Sequence, residues 1–315
     1  MRERLIFMGT PPFAVPSLEA LARDYEVVAV VTQPDRPARR GRQLTPSAVK
    51  EAAVRWGLPV LQPESLRHEK AVAQLRDLEP RVMVVAAYGE ILRPQVLAIP
   101  PAGVINVHPS LLPKYRGASP IEGALLAGEQ ETGVTIMLMD EGMDTGPILA
   151  QRSVAVELED SAGSLGEKLA RLGAELLLDT LALWLDGRIE ARPQDDAQAT
   201  YTRPISKEDA VIDWALPAIE IWNRIRAYNP RPGARTWWEG DQLNVLRGRP
   251  RAEWKGQGGP GRVVQTTSGV AVVTGQGALL LEEIQLAGKR TMDAEDFVRG
   301  QRQFIGSELG QQPKE

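Results

Sequence analysis

Five runs in the first half of the chain are apolar on both faces rather than on one. Residues 4–9 (RLIFMG), 25–32 (YEVVAVVT), 80–87 (PRVMVVAA), 103–107 (GVINV) and 133–139 (GVTIMLM) are rich in Val, Ile and Met and scarcely alternate. A strand with one wet face alternates polar with apolar, so these runs are read as buried strands of a parallel sheet covered by helices on both sides. The segments between them supply the helices. Residues 16–24, 48–57, 69–79 and 120–128 place apolar side chains at helical spacing, with Gly or Pro near several ends, and residues 164–187 form a longer helical pattern. The alternation predicts an α/β class, a doubly wound Rossmann-like domain over residues 1–188.

Residues 189–205 are polar and aperiodic and are read as a linker. Beyond them the pattern changes. A helix is predicted over 217–228, then five short strand-like runs (234–240, 242–248, 261–268, 269–275 and 277–285) between Gly-containing turns, and a closing helix over 294–304. Five such strands predict a smaller OB-like β-barrel domain over residues 206–315. Composition narrows the chemistry. The chain has no cysteine and two histidines, which excludes disulfides, thiolate catalysis, cysteine-ligated zinc and a histidine-rich metal site. No apolar run approaches the ~20 residues that span a bilayer. The N-terminal apolar stretch is too short for a secretory signal, so a cytoplasmic location without membrane contact is expected.

In open α/β sheets ligands bind beyond the carboxyl ends of the strands. Asn106 and His108 lie two apart at such an end, which points both side chains to one side, and Pro109 and Pro113 stiffen the loop that follows. Read alone, His108 is either a histidine that hydrogen-bonds the loop backbone or a functional group. Residues 135–148 (TIMLMDEGMDTGPI) bring Asp140, Glu141 and Asp144 to another strand end. Asp144 alone is a turn or cap residue, or the carboxylate that fixes an imidazole tautomer and raises its pKa. Asn, His and Asp together equip a site for acyl transfer without a side-chain nucleophile. The N-terminal GTPPF has one glycine where a dinucleotide fingerprint needs three, which argues against hydride transfer.

The stretch NVHPSLLPKYRGASPI, followed about 35 residues later by DEGMDTG, resembles the folate-dependent formyltransferases. Glu141 and Pro109 depart from the family pattern without touching Asn106, His108 or Asp144. With FMGTPPFAVPSLEAL and VVTQPDRPARRGR, the likeness covers nearly the whole chain. It implies transfer of a formyl group from 10-formyltetrahydrofolate to the α-amino group of initiator methionyl-tRNA, by a monomeric enzyme without a metal. In that scheme Asn106 and a protonated His108 stabilise the oxyanion, and Asp144 holds His108 and assists proton transfer. The resemblance implies a folate site of Tyr88, Gly89, Ile91, Leu92, Asp140, Ser110, Leu111, Leu112 and Pro113. Formylation of a small amine such as a UDP-amino sugar, and a noncatalytic RNA-binding role, are the competing readings.

Two basic islands complete the pattern. Residues 1–205 carry 22 Lys/Arg against 27 Asp/Glu, but residues 34–50 carry five against one. Residues 224–262 carry nine against three. By resemblance, Arg36, Arg39, Arg40 and Arg42 enter the tRNA acceptor arm, while Arg247 and Arg249 on the second domain contact phosphates. Of Trp237 and Trp238, at least one is expected to fill the barrel core.

Overall fold

The computed structural model describes residues 2–38, 43–254 and 256–310. The chain forms two compact units, one made of residues 1–120, 131–155 and 166–202, the other of residues 121–130, 156–165 and 203–315.

The first unit is built on a seven-stranded sheet of β1 (Arg4–Gly9), β2 (Glu26–Val31), β3 (Val60–Leu61), β4 (Val82–Ala86), β5 (Val104–His108), β6 (Glu131–Leu138) and β7 (Ile148–Ala155). Their order is β7-β6-β5-β4-β1-β2-β3. The five strands from β3 to β5 are parallel, as their two-sided apolar character requires. The strand expected over 133–139 does form, but β6 runs antiparallel to β5, and β7 antiparallel to β6. A strand buried on both faces has the same sequence pattern in either direction, so pattern alone could not fix this. Helices α1 (Val15–Asp24), α2 (Ala48–Arg55) and α3 (Glu69–Arg76) each bury an apolar stripe, including Leu18 and Leu21, Val49 and Ala52, and Val72 and Leu75. Val72 and Leu75 share one core cluster with Ile6, Met8, Met83 and Val85, where each buried side chain contributes about 1.5–3 kcal/mol.

The chain runs outward from β1 through β2 to β3, then returns to place β4 on the other side of β1. This reversal makes a switch point at the carboxyl ends of β1 and β4, the place where open α/β sheets bind ligands. The Thr10 hydroxyl donates to the Tyr88 carbonyl across it, 2.9 Å. Gly9 is required beside it, because a Cβ there would lie 2.7 Å from Ala14 Cβ and 2.9 Å from the Ala86 carbonyl oxygen.

The second unit holds an antiparallel sheet of β8 (Arg235–Trp238), β9 (Asp241–Arg251), β10 (Val263–Thr266), β11 (Gly269–Val273) and β12 (Ala278–Leu286), ordered β8-β9-β12-β11-β10. Of the two adjacent tryptophans Trp238 is buried, and it meets Phe297 and Phe304 edge-on, with ring centroids 5.3 Å away in both cases. Phe304 is fully buried, so Phe304→Ala is expected to destabilise this unit by about 3–5 kcal/mol in denaturant unfolding. A loss below about 1 kcal/mol would show that the aromatic trio is not central to this core. No helix among the described residues is long and apolar enough to cross a membrane.

Candidate active site

β5 delivers Asn106 and His108 to the carboxyl end of the parallel sheet, both buried. The Asn106 carboxamide has no hydrogen-bond partner among the described residues. That leaves a polar group without an internal use at a strand end where open α/β sheets bind ligands, and its amide atoms are not among the fully buried ones that lack a partner, so they can reach a ligand.

His108 has a defined environment at both ring nitrogens. Nε2 lies 3.0 Å from the Tyr115 carbonyl oxygen; a carbonyl only accepts, so Nε2 carries the proton. Nδ1 faces Asp144 Oδ2 at 3.7 Å, beyond hydrogen-bond range but within ion-pair range. Burial pushes the His108 pKa below its ordinary 6.5, outweighing the upward pull of the Asp144 carboxylate and of the Tyr115 carbonyl. This corrects the expectation of a protonated His108. The carboxylate does act in the expected direction, but desolvation of a charged ring at the end of a packed sheet is the larger effect. The resting imidazole is therefore neutral, with an open lone pair on Nδ1.

Asp144 is held in turn. Its Oδ2 accepts the Gly117 N–H at 2.7 Å, and its backbone sits at φ 53°, a left-handed conformation that costs a non-glycine residue about 1–3 kcal/mol and persists only where its surroundings enforce it. Gly146 completes this loop, since a Cβ there would overlap the Leu138 carbonyl. Asp140 lies in the same loop, and its Oδ1 accepts the Gly142 N–H at 3.0 Å and the Thr145 hydroxyl at 2.7 Å. Its carboxylate thus shapes the loop from within.

The residues expected around a folate are spread over two loops with different exposures. Tyr88 and Leu92 are buried, whereas Ile91 is 74% exposed and Gly89 turns the chain at φ 89°. The Tyr88 hydroxyl is buried with no hydrogen-bond partner among the described residues, and burial raises its pKa. In the other loop Ser110 is fully buried and donates to the Lys114 carbonyl, 2.7 Å, while Leu112 packs against Met137 and Ile148. Leu111 and Pro113 are half-buried. Thr135 and Gln151 brace this loop through the Ser110 carbonyl and the Leu112 backbone. Neither was indicated by sequence, although Thr135 is a polar residue within an apolar strand. No group of three or more metal-ligating side chains gathers among the described residues.

The basic residues separate as well. Arg36 lies in a short hairpin of Arg36–Ala38 and Gln43–Thr45, its Nη2 3.3 Å from Gln33 Oε1. Arg39, Arg40 and Arg42 lie outside the described residues. In the second unit Arg247 and Arg249 share Glu282, Nε to carboxylate at 3.0 and 2.7 Å, and Arg249 also reaches Glu159 at 2.8 Å.

Residues 3–181 match the family model described as formyl transferase, and residues 204–302 the one described as formyl transferase, C-terminal domain. A protein of Roseiflexus castenholzii named methionyl-tRNA formyltransferase is 53% identical over 312 residues, covering 98% of this chain and 100% of its own. One of the same name from Heliobacterium modesticaldum is 48% identical over 316 residues, covering 98% and 100%. The fold is similar to that of an N-formyltransferase from Helicobacter canadensis solved with folinic acid and dTDP-3-aminofucose, at TM-score 0.67 and 20% identity over 92% of this chain and 100% of that one. It is also similar to HypX from Aquifex aeolicus in complex with tetrahydrofolic acid, at TM-score 0.62 and 17% identity. That match covers 96% of this chain and 48% of HypX, so the chain spans about half of HypX.

Proposed function

This chain belongs to the formyl transferase family, and we propose that it transfers a formyl group from 10-formyltetrahydrofolate to the α-amino group of initiator methionyl-tRNA, giving formylmethionyl-tRNA for translation initiation. The observation that carries this reading is the set of Asn106, His108 and Asp144 at the carboxyl end of the sheet, in a chain that aligns end to end with relatives of that name. The reading includes a cytoplasmic site of action and an OB-like character for the second unit.

The residues at these strand ends fit a folate donor. The unpartnered Asn106 carboxamide supplies a hydrogen-bonding group, and exposed Ile91 offers an apolar surface for a flat ring. Bound folate supplies the formyl carbon and the nitrogen from which it departs. Asn106 donates an N–H to the formyl oxygen as negative charge grows there. His108 accepts, at Nδ1, the proton lost by the attacking amine, directly or through water. Asp144, at 3.7 Å, stabilises the imidazolium so formed, and His108 then returns the proton to the departing nitrogen. The amine itself is the nucleophile, which agrees with the absence of cysteine from the sequence.

By resemblance Arg36, Arg39, Arg40 and Arg42 meet the acceptor end, and Arg247 and Arg249 would meet phosphates with the guanidinium donors that Glu282 and Glu159 leave free. Formyl transfer from 10-formyltetrahydrofolate should be measured with methionyl-tRNA and with a UDP-amino sugar. A preference for the sugar overturns the proposal. If the substrate is a polyanion, methionyl-tRNA affinity should fall steeply with salt. Arg40→Ala should lower kcat/KM for methionyl-tRNA without changing folate affinity. Affinity flat across a salt series would count against the tRNA reading.

A further inference from the structure

The Asp144 loop is held by a residue fifty positions further along the chain. The Gln194 Nε2 donates to two carbonyls of that loop, Asp144 O at 2.8 Å and Gly146 O at 2.7 Å. Its Oε1 accepts from Arg116, at 3.1 Å from Nε and 2.9 Å from Nη2. This fixes the amide orientation, because a flipped amide would set N–H against a guanidinium and oxygen against two carbonyls. Arg116 is itself 1% exposed and is anchored further by Asp196 at 2.7 Å and the Tyr201 hydroxyl at 3.2 Å. The tethered segment is the one that carries Asp144 in its left-handed backbone conformation.

We propose that Gln194, oriented by Arg116, is a positioning residue that tethers the Asp144 loop and so sets the carboxylate against His108. The role rests on the catalytic reading above but acts through the backbone alone. The guanidinium supplies a buried, rigid fork, the amide converts that fork into two donors, and the donors take the carbonyls on either side of Thr145. Without them the left-handed turn loses part of what enforces it, and the carboxylate, left with the Gly117 N–H, is held less firmly against Nδ1.

The chain has two histidines, and His68 is exposed at the start of α3, so nitrogen-15 histidine NMR gives one reporter and one internal reference. The charged group that moves the titration of His108 is Asp144, which raises it, alongside the Tyr115 carbonyl. In full-length Gln194→Met, which removes both donors without adding charge, the His108 titration should move to lower pH. Its kcat should fall roughly tenfold to a hundredfold, the scale of a small displacement near the reacting groups. Gln194→Glu gives Arg116 its acceptor back but cannot donate to the two carbonyls, so its kcat should be reduced as well. Wild-type turnover in Gln194→Glu, or an unmoved His108 titration in folded Gln194→Met, overturns the proposal and leaves Gln194 as packing for Arg116. If the methionine variant does not fold, the glutamate variant decides. The titration needs no substrate, so it stands apart from whether wild-type protein formylates methionyl-tRNA, which tests the function itself.

Discussion

Replacing His108 with alanine is expected to lower kcat by about a hundredfold to ten-thousandfold, the range for losing a positioned general base. The neutral ring has its Nε2 proton committed to Tyr115, 3.0 Å away, and its Nδ1 lone pair beside Asp144, so in the proposed scheme it takes a proton at a defined atom with a carboxylate waiting for the charge. The pH profile should identify it. Burial holds the pKa below 6.5, and the base works unprotonated, so wild-type kcat/KM, once divided by the fraction of neutral substrate amine, should be level near neutrality and fall as pH drops through that lowered value. The alanine variant should lose this acid limb. Stability carries the same sign. The unfolded ring takes a proton near pH 6.5 that the folded ring resists, so the wild type loses stability as pH falls below about 6.5, and the variant lacks that component. Near-wild-type turnover in His108→Ala would remove the histidine from the proton path.

Asn106→Ala should lower kcat by about a hundredfold to a thousandfold, as expected for loss of one preorganised donor to a developing oxyanion. The amide is buried, has no internal partner among the described residues and sits on the same strand as His108. Because it forms no bond with the described residues, truncation should cost the fold little. Unchanged thermal unfolding with a fallen kcat and a nearly constant folate KM is the expected pattern, since a group that strengthens its bond only as charge develops acts on kcat rather than on binding. A variant that merely unfolds at lower temperature, with normal turnover when folded, would make Asn106 a structural amide.

The parts legible in the sequence were those with a local signature. Two-sided apolar runs pointed to the parallel strands, and the spacing of Asn106 and His108 at a strand end, with glycines around Asp144, marked the site proposed for the chemistry. What was not legible depends on where distant residues meet. The antiparallel sense of β6 comes from chain connection, not from its composition. Gln194 stands in a polar, aperiodic stretch, and nothing near it in sequence names Asp144 as its partner. Arg116 is charged, yet it is almost wholly buried because Gln194, Asp196 and Tyr201 gather around it. The protonation of His108 is a contest between desolvation and a nearby charge, and sequence spacing indicates that the carboxylate is present without weighing the burial against it.

The second unit is drawn from three stretches of chain, and this gives its assembly a timetable on the ribosome. Residues 121–130 and 156–165 emerge well before residues 203–315, whose synthesis at about 5–20 residues per second lasts on the order of ten seconds. During that interval the Glu157 carbonyl lacks Arg226, Glu159 lacks Arg249, and Leu158 lacks the wall that it shares with Ile219 and Trp222. A nascent chain halted before residue 203 thus exposes two internal stretches whose partners were never made, and it presents to chaperones and proteases an unfinished surface in its middle rather than only at its growing end.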